Sequence, residues 1–308
     1  MEETKKLIVI LGPTASGKTR LAVALAAKIG GEIISADSRQ VYTGMTIGTG
    51  KDYEEYKDAS GLKVPYHLID VVEAGEEYHV ARFQKDFQQA YQDIVGRGKV
   101  PILCGGSGMY IEAVLKNYQH TQVPIDAILR EELEAKTYEE LLSQFQEEYE
   151  QFYAEADTST KKRLIRAFEI ARFMRDNPQS NQKSEPFQSL IFGIGIPTEV
   201  RRERITKRLY KRLQEGMIEE VQELLNKGIS AEKLIFYGLE YKFITEYLLG
   251  QMAFDDMVMK LEVAIHQFAK RQMTFFRSME KKDLTIYWLD GIDTTESLIN
   301  EIIRQIKA

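Results

Sequence analysis

The chain of 308 residues contains little of what disulfide-bonded, zinc-binding or membrane proteins depend on. Its one cysteine, Cys104, excludes an intramolecular disulfide and any zinc site built from several cysteines. No apolar run approaches the roughly 18 residues that span a membrane, and the first residues, Met-Glu-Glu-Thr-Lys-Lys, do not resemble a cleaved leader. We therefore expect a cytoplasmic protein with no membrane partner.

Positive charge is also scarce overall, because the formal net charge is −6 at pH 7. This balance excludes a generally basic, nucleic-acid-coating surface. The basic residues are nevertheless clustered, since residues 201–212 hold seven of them and residues 131–157 hold ten acidic residues and one basic. Charge alone favours solvated helix faces for these clusters, although separate basic patches on an acidic protein can still bind a polyanion.

The clearest motif is Gly-Pro-Thr-Ala-Ser-Gly-Lys-Thr at residues 12–19, which fits the phosphate-binding pattern G-x-x-x-x-G-K-[ST]. The apolar run at residues 7–11 predicts a buried parallel strand before it, and the Ala-rich segment ending at Gly30 predicts a helix after it. Backbone N–H groups and the Lys18 ammonium would then converge on a phosphate, and the Thr19 hydroxyl would be offered to Mg²⁺. The candidate phosphate-binding residues are Gly12, Pro13, Thr14, Ala15, Ser16, Gly17, Lys18 and Thr19.

Two further segments follow predicted strands and are expected at the same edge of a parallel sheet. Residues 32–36 predict a strand that ends at Asp37, and residues 100–104 predict one that ends at the turn Gly105–Gly108. The Asp37 carboxylate could bind Mg²⁺, act as a general base or cap the next segment, and the pattern leaves these alternatives open.

Alternating strand and helix patterns predict the α/β class, with a P-loop NTPase-like parallel sheet flanked by helices. Residues 68–72 are expected to form one of the buried strands. Strand patterns vanish from about residue 123 and return at residue 190, so we expect an inserted all-helical domain. We place the core domain at 1–120 and 189–308 and the inserted domain at 121–188.

Several motifs, taken in order, resemble those of the tRNA dimethylallyltransferases, also called tRNA isopentenyltransferases. After the phosphate loop come Ile-Ser-Ala-Asp-Ser-Arg-Gln-Val-Tyr at 34–42, Gly-Met-Thr-Ile-Gly-Thr at 44–49 and Pro-Tyr-His-Leu-Ile-Asp at 65–70. Gly-Gly-Ser-Gly-Met-Tyr at 105–110 and Ala-Lys-Arg-Gln-Met-Thr-Phe-Phe-Arg at 269–277 complete the set. The ordered set spans most of the chain and is far more specific than the phosphate loop alone.

The resemblance implies transfer of a dimethylallyl group from dimethylallyl diphosphate to N6 of the adenosine 3′ of the tRNA anticodon. The loop would hold a diphosphate leaving group, and Lys18 and Mg²⁺ would stabilise its developing charge. Asp37 occupies the family's general-base position. Ser107 stands where the family usually has a substrate-contacting threonine, and Arg204 or a neighbouring arginine would reach the diphosphate.

The resemblance also implies a tRNA interface for the anticodon stem-loop, whose target base must leave its stack to react. We expect a monomer. The residues implied in tRNA binding are Asp37, Ser38, Arg39, Gln40, Lys162, Arg163, Arg166, Lys270, Arg271, Gln272 and Arg277.

The chain departs from the family's motifs at several positions. The family's Gly-Thr-Ala-Lys-Pro is Gly-Thr-Gly-Lys-Asp at 48–52, its Gly-Tyr-Lys-Glu is Gly-Leu-Glu-Tyr at 238–241, and its tryptophan near the end is Phe275. The inserted domain matches weakly. Three alternatives therefore stay open: an adenylate isopentenyltransferase acting on free AMP, ADP or ATP, a small-molecule kinase that binds ATP in the same loop, and a paralogue that binds RNA without catalysis.

Overall fold

The computed structural model describes residues 6–58, 60–154, 156–178 and 187–307. The chain divides into two compact units. The first, here called the core unit, comprises residues 1–116 and 187–308, and the second, the inserted unit, comprises residues 117–186, compared with the predicted 121–188.

The core unit is built on a six-stranded sheet in which every neighbouring pair is parallel. In chain order the strands of the protein are β1 (Leu7–Leu11), β2 (Gly31–Ala36), β3 (Tyr42–Thr43), β4 (Tyr66–His67), β5 (Val72–Glu73), β6 (Val100–Gly105), β7 (Ser189–Gly195) and β8 (Ile286–Asp290). The sheet order is β4-β2-β6-β1-β7-β8, and β3 and β5 form a separate parallel pair. This arrangement confirms the predicted α/β class.

Helices surround this sheet. Those of the core unit are α1 (Lys18–Ile29), α2 (Val80–Gly96), α3 (Gly108–Leu115), α8 (Thr198–Gln214), α9 (Met217–Asn226), α10 (Ala231–Phe236), α11 (Leu239–Leu248), α12 (Phe254–Glu280) and α13 (Thr295–Lys307). Those of the inserted unit are α4 (Ala127–Glu134), α5 (Tyr138–Glu148), α6 (Glu150–Tyr153) and α7 (Lys161–Asp176). In the part of the chain that the structure describes, no helix is both long and apolar enough to cross a membrane.

Both faces of the sheet are covered, as the unbroken apolar run of β1 predicts. Because side chains alternate along a strand, Leu7, Val9 and Leu11 enter one hydrophobic cluster while Ile8 and Ile10 enter the other. All five residues of β1 are buried. The strand therefore fixes the start of the phosphate loop within the core.

The predicted strand over residues 68–72 is wrong. Leu68 and Asp70 adopt left-handed backbone conformations, with φ of 62° and 54°, which an extended strand cannot contain. The chain instead forms the short β4 and β5 on either side of this bend. Asp70 is held in the bend by hydrogen bonds from the Lys51 ammonium, at 2.5 Å, and from the Tyr53 hydroxyl.

The inserted unit has a hydrophobic core of its own, formed by side chains such as Leu141, Phe145, Leu164 and Phe168. Its helices carry local start signals, and α5 begins with a complete capping box between Thr137 and Glu140. The predicted all-helical character of this segment agrees with these elements.

Candidate active site

Three segments meet at the carboxyl edge of the sheet because their strands are neighbours in register. Leu11 at the end of β1 lies opposite Gly105 at the end of β6, and Gly105 lies opposite Ala36 at the end of β2. The phosphate loop, Asp37 and the turn Gly105–Gly108 therefore leave the sheet side by side. At Gly105 a Cβ atom would lie 2.1 Å from the Ala36 carbonyl oxygen, so the close approach requires glycine.

The phosphate loop has the backbone of an anion-binding turn. Gly17 precedes α1 in the left-handed region with φ of 84°, and no side chain caps the N–H groups of the first turn of α1. The N-terminus of a helix left open in this way attracts an anion through its N–H groups and its dipole. The buried Ser16 hydroxyl has no hydrogen-bond partner among the residues that the structure describes.

Lys18 is the cation of this loop. Its Nζ donates a long hydrogen bond of 3.4 Å to the carbonyl oxygen of Pro13, within the loop itself. Burial lowers the pKa of Lys18, and the nearby Arg208 lowers it further, whereas Asp37 and Glu55 oppose the shift. A desolvated ammonium with one weak partner is suited to binding an anionic ligand.

One carboxylate oxygen of Asp37 has no hydrogen-bond partner among the residues that the structure describes. Its Oδ1 accepts a hydrogen bond of 2.9 Å from the backbone N–H of Arg39, and no other hydrogen bond to Asp37 occurs within the described ranges. This hydrogen bond caps the turn at residues 37–39, and capping is one of the three roles that the sequence leaves open for Asp37. The half-buried Asp37 still has an oxygen available for a proton, so the capping role does not exclude the base.

Ser107 ties the turn after β6 to the segment after β2. Its hydroxyl accepts a hydrogen bond of 2.9 Å from the backbone N–H of Ser38 and lies 3.3 Å from the Ser38 hydroxyl. Its own N–H donates to the carbonyl oxygen of Ala36 at 3.1 Å. These contacts give Ser107 a positioning role beside Asp37, and the implied contact with substrate remains a prediction.

Gln272, on α12, is buried between the phosphate loop and the glycine turn. Its Oε1 accepts from the N–H of Thr14 and its Nε2 donates to the carbonyl oxygen of Gly106, both at 2.9 Å. Both ends of the amide are therefore occupied, which favours positioning of the loop over the tRNA contact implied by the resemblance. Nothing in the sequence pattern signalled these contacts, because Gln272 lies 258 residues from Thr14 and 166 residues from Gly106.

A small cavity beside the loop is lined by Thr14, Ala15 and one face of α8. Its cationic lining residues are Arg208 and Arg212, whereas Arg204 does not line it. The helix repeat explains the choice, since positions 205, 208, 209 and 212 share one face. The structure thus favours these neighbouring arginines over Arg204, which is half-buried.

Glu220, on α9, organises the glycine-rich segment that follows Asp37. It accepts backbone hydrogen bonds from Thr46 and Ile47, both at 2.7 Å, and from Gly48 at 3.0 Å. The Tyr241 hydroxyl donates to the same carboxylate at 2.7 Å. Sequence reasoning missed Glu220, since one glutamate on an acidic helix gives no local signal of such a role.

The remaining residues implied in tRNA binding have different surroundings. Gln40 is engaged, because its Nε2 donates to the Gly50 carbonyl at 3.1 Å and its Oε1 accepts from Ser35, also at 3.1 Å. The Arg39 guanidinium packs over the Phe236 ring at 5.4 Å. The exposed residues of α12 in this set are Lys270, Arg271 and Arg277.

In the inserted unit, α7 carries three of the implied residues. Lys162 is exposed, and Arg163 is exposed but paired with Asp157 at 3.0 Å. Arg166 donates to the Glu169 carboxylate at 2.8 Å and to the Val123 carbonyl at 2.6 Å. These contacts favour a structural role for Arg166, whereas the exposed Lys162 has no ion pair or hydrogen bond with the residues that the structure describes.

The described residues contain no group of three or more His, Cys, Asp or Glu side chains that could hold a metal ion. Mg²⁺ is commonly held by one or two protein oxygens together with phosphate oxygens and water. The Thr19 hydroxyl in the first turn of α1 fits that kind of site.

Comparisons with known proteins agree with the geometry. The sequence profile of the IPP transferase family matches residues 40–279. A protein from Parabacteroides distasonis named tRNA dimethylallyltransferase 1 is 51% identical over 299 residues, covering 97% of each chain. Its namesake from Porphyromonas gingivalis is 52% identical over 286 residues, covering 93% of this chain and 94% of that protein. The solved full-length tRNA isopentenylpyrophosphate transferase from Bacillus halodurans has a TM-score of 0.71 at 31% identity, covering 98% of this chain and 97% of that chain.

Proposed function

Because the chain belongs to the IPP transferase family, which includes the tRNA dimethylallyltransferases, we propose that it is an enzyme that prenylates tRNA. The donor is dimethylallyl diphosphate, and the acceptor is N6 of the adenosine 3′ of the anticodon. The observation that carries this proposal is the meeting of an anion-binding loop and the free oxygen of Asp37 on neighbouring strands of one sheet edge.

The phosphate loop binds the diphosphate of the donor. When the bond between the allylic carbon and the diphosphate oxygen breaks, the electron pair stays on the leaving oxygen. The open N-terminus of α1 and the Lys18 ammonium stabilise this added negative charge. Mg²⁺, when bound, would supply further charge neutralisation, and the Thr19 hydroxyl would be its protein ligand.

Asp37 takes the proton that the acceptor must lose. The exocyclic amine of adenine is a weak nucleophile, and the new N–C bond leaves a positive charge on N6 until one proton departs. The carboxylate oxygen without a protein partner accepts this proton, while the hydrogen bond from Arg39 fixes the other oxygen. Ser107 holds the segment that carries Asp37 through its hydrogen bond with Ser38.

The tRNA backbone binds to exposed basic residues. Lys270 and Arg271 of α12 line a shallow surface pocket together with Phe275, on the same helix whose Gln272 contacts the loop. Lysine and arginine side chains on an otherwise acidic protein bind phosphates by replacing counterions. Arg277 of α12 and Lys162 and Arg163 of α7 add to this set.

Purified protein, Mg²⁺ and labelled dimethylallyl diphosphate test the proposal on unmodified tRNA that carries adenosine 3′ of the anticodon. We expect label in tRNA and a prenylated adenosine in its nucleoside digest by mass spectrometry. In parallel reactions, label on added AMP but not on tRNA identifies an adenylate isopentenyltransferase, and phosphate transfer from added ATP without use of the prenyl donor identifies a kinase. Sedimentation of the same sample tests the proposed monomer.

A further inference from the structure

Arg212 is the least expected member of the cavity beside the phosphate loop. It is 9% exposed, and its Nη2 has no hydrogen-bond partner within the part of the chain that the structure describes. The cavity that it lines also contains Thr14 and Ala15 of the loop. Burial lowers the pKa of Arg212, yet a guanidinium keeps its charge at neutral pH. The protein therefore holds a buried cation with a free donor beside its anion site.

Three positions at which the chain departs from the family's motifs surround this one side chain. The first is Gly50, where the family has alanine. A Cβ atom at Gly50 would lie 2.0 Å from Nη2 of Arg212 and 2.7 Å from Nη2 of Arg208. The missing methyl group thus provides the space that the two guanidinium groups occupy.

The second position is Asp52, where the family has proline. Its Oδ2 lies 2.7 Å from Nη2 of Arg208 and 3.7 Å from Nη2 of Arg212. The contact between Asp52 and Arg208 is short enough for a hydrogen bond. The contact between Asp52 and Arg212 is too long for one, so Arg212 interacts with Asp52 through charge alone. Asp52 therefore orients both guanidinium groups and leaves Nη2 of Arg212 without a hydrogen bond.

The third position is Glu240, where the family has lysine. Glu240 lines the same cavity, and burial raises the pKa of its carboxyl while the charge of Arg212 opposes that rise. Where the family's motif has a cation, α11 of this chain has an acid. The cationic residues that line the cavity are Arg208 and Arg212, and both belong to α8.

We propose that Arg212 is a further diphosphate-binding residue, which supplies from α8 the positive charge that the family's motif carries on α11. The inference rests on the proposed function, since it takes the ligand of the loop to be a diphosphate. Arg212 donates the free N–H groups of its Nη2 to the diphosphate as negative charge develops there, and Glu240, in the lining of the same cavity, interacts with Arg212 through charge alone. Gly50 and Asp52 make the new position of the cation possible.

Binding of inorganic pyrophosphate with Mg²⁺, measured by calorimetry, tests Arg212 without requiring turnover. We expect Arg212→Met to weaken pyrophosphate binding by about tenfold to a hundredfold, as the loss of a charge-assisted hydrogen bond does. The KM for dimethylallyl diphosphate should rise with it, while the KM for tRNA stays within about twofold. Lys211→Met is the matched control, because Lys211 neighbours Arg212 on α8 and is exposed.

A rescue separates binding from a merely structural role. Arg212→Met combined with Glu240→Lys returns a cation to the same cavity on α11, and we expect pyrophosphate affinity within about threefold of the unmodified protein. An affinity that Arg212→Met leaves unchanged overturns the inference. The inference is also overturned if Arg212→Met lowers both the affinity and the unfolding temperature and Glu240→Lys does not restore the affinity.

Gly50→Ala displaces the guanidinium without removing its charge. Gly250→Ala is its control, since Gly50 and Gly250 have φ of 71° and 73° and only Gly50 has neighbours within 4 Å of an added Cβ. We expect weaker pyrophosphate binding in Gly50→Ala alone, and equal affinities in the two variants count against the inference. If the unmodified protein binds no pyrophosphate and prenylates no tRNA, the proposed function itself has failed.

Discussion

Gln272 accepts a hydrogen bond of 2.9 Å from the backbone N–H of Thr14, although 258 residues separate the two in sequence. The other end of the same amide donates to the Gly106 carbonyl, where a Cβ atom would lie 2.5 Å from Nε2. One side chain of α12 therefore fixes both the phosphate loop and the glycine turn. The conformation of the anion site depends on the C-terminal part of the chain.

Replacing Gln272 with leucine removes both of these hydrogen bonds while keeping a side chain of similar size. We expect pyrophosphate affinity to fall about tenfold, because two buried backbone groups lose their partner. The affinity for tRNA should stay within about twofold, since no contact with tRNA is lost. Calorimetry and filter binding measure the two affinities, with Gln89→Leu at an exposed position of α2 as the control. A loss of tRNA affinity alone supports the tRNA contact that the resemblance implies for Gln272.

Asp37→Asn separates the general base from the cap. The amide oxygen still accepts the hydrogen bond from Arg39, so the turn is kept while the proton acceptor is lost. We expect single-turnover prenyl transfer to slow by about 10²–10⁴-fold, as removal of a general base does. Pyrophosphate affinity should stay within about twofold. Near-normal turnover leaves Asp37 with the capping role alone.

Because the pKa of Lys18 is lowered, we expect the binding of dimethylallyl diphosphate to weaken as the pH becomes alkaline. A lysine with a lowered pKa loses its proton as pH rises through that value, which lies below the ordinary 10.5. The KM for dimethylallyl diphosphate should therefore begin to increase at a lower pH than it would if the lysine had an ordinary pKa. Lys18→Arg should move this rise to higher pH, because a guanidinium remains charged. Coinciding KM profiles of the two proteins would show that another group titrates.

Lys270 and Arg271 are expected to act through phosphate contacts alone. Converting both to methionine should weaken tRNA binding and reduce the slope of log affinity against log salt by about 2, one for each contact. Pyrophosphate affinity provides the internal reference and should not move. Lys28→Met, at an exposed position of α1, removes one positive charge elsewhere and should leave the slope unchanged. An unaltered slope in the double variant removes both residues from the interface.

Glu169 tests the ion-pair network of the inserted unit. Burial alone would raise its pKa, but hydrogen bonds from Arg130, Arg166 and the Asp126 N–H leave the pKa lowered. A carboxyl whose pKa is lower when folded stabilises the protein above its unfolded pKa and ceases to do so as pH falls through the folded value. Glu169→Gln should therefore destabilise by about 2 kcal/mol near pH 7 and by less near pH 3.

Denaturant unfolding at both pH values measures this difference for Glu169→Gln. Glu131→Gln is the matched control, because Glu131 is exposed on α4. An equal destabilisation at the two pH values would show that the Glu169 carboxylate is not the titrating group that supports the unit.

The sequence predicted what local signals determine. The loop at residues 12–19 and Asp37 were placed at one sheet edge because strand patterns precede both. The bend at Leu68 and Asp70 was missed, because an apolar run does not reveal that Asp70 is drawn toward Lys51 and Tyr53. At this bend, the tertiary contacts of Asp70 outweigh the strand preference of the apolar run.

Long-range contacts account for the other differences. Gln272 lies in a basic stretch and was assigned to tRNA with its neighbours, yet its position on α12 turns it inward while Lys270 and Arg271 remain exposed. Arg212 was one of seven basic residues in a short helical stretch. Only the packing of α8 against the loop distinguishes it from Arg204.

The strand order also constrains how the protein is made. The central strand β1 pairs with β6 on one side and with β7 on the other, and the whole inserted unit lies between those two partners in sequence. At synthesis rates of about 5–20 residues per second, a nascent chain exposes one edge of β1 for several seconds while the inserted unit is translated. Gln272 is translated later still, so the phosphate loop lacks this contact for a longer time. The loop that we propose binds the diphosphate is thus translated well before Gln272, the residue that fixes its conformation.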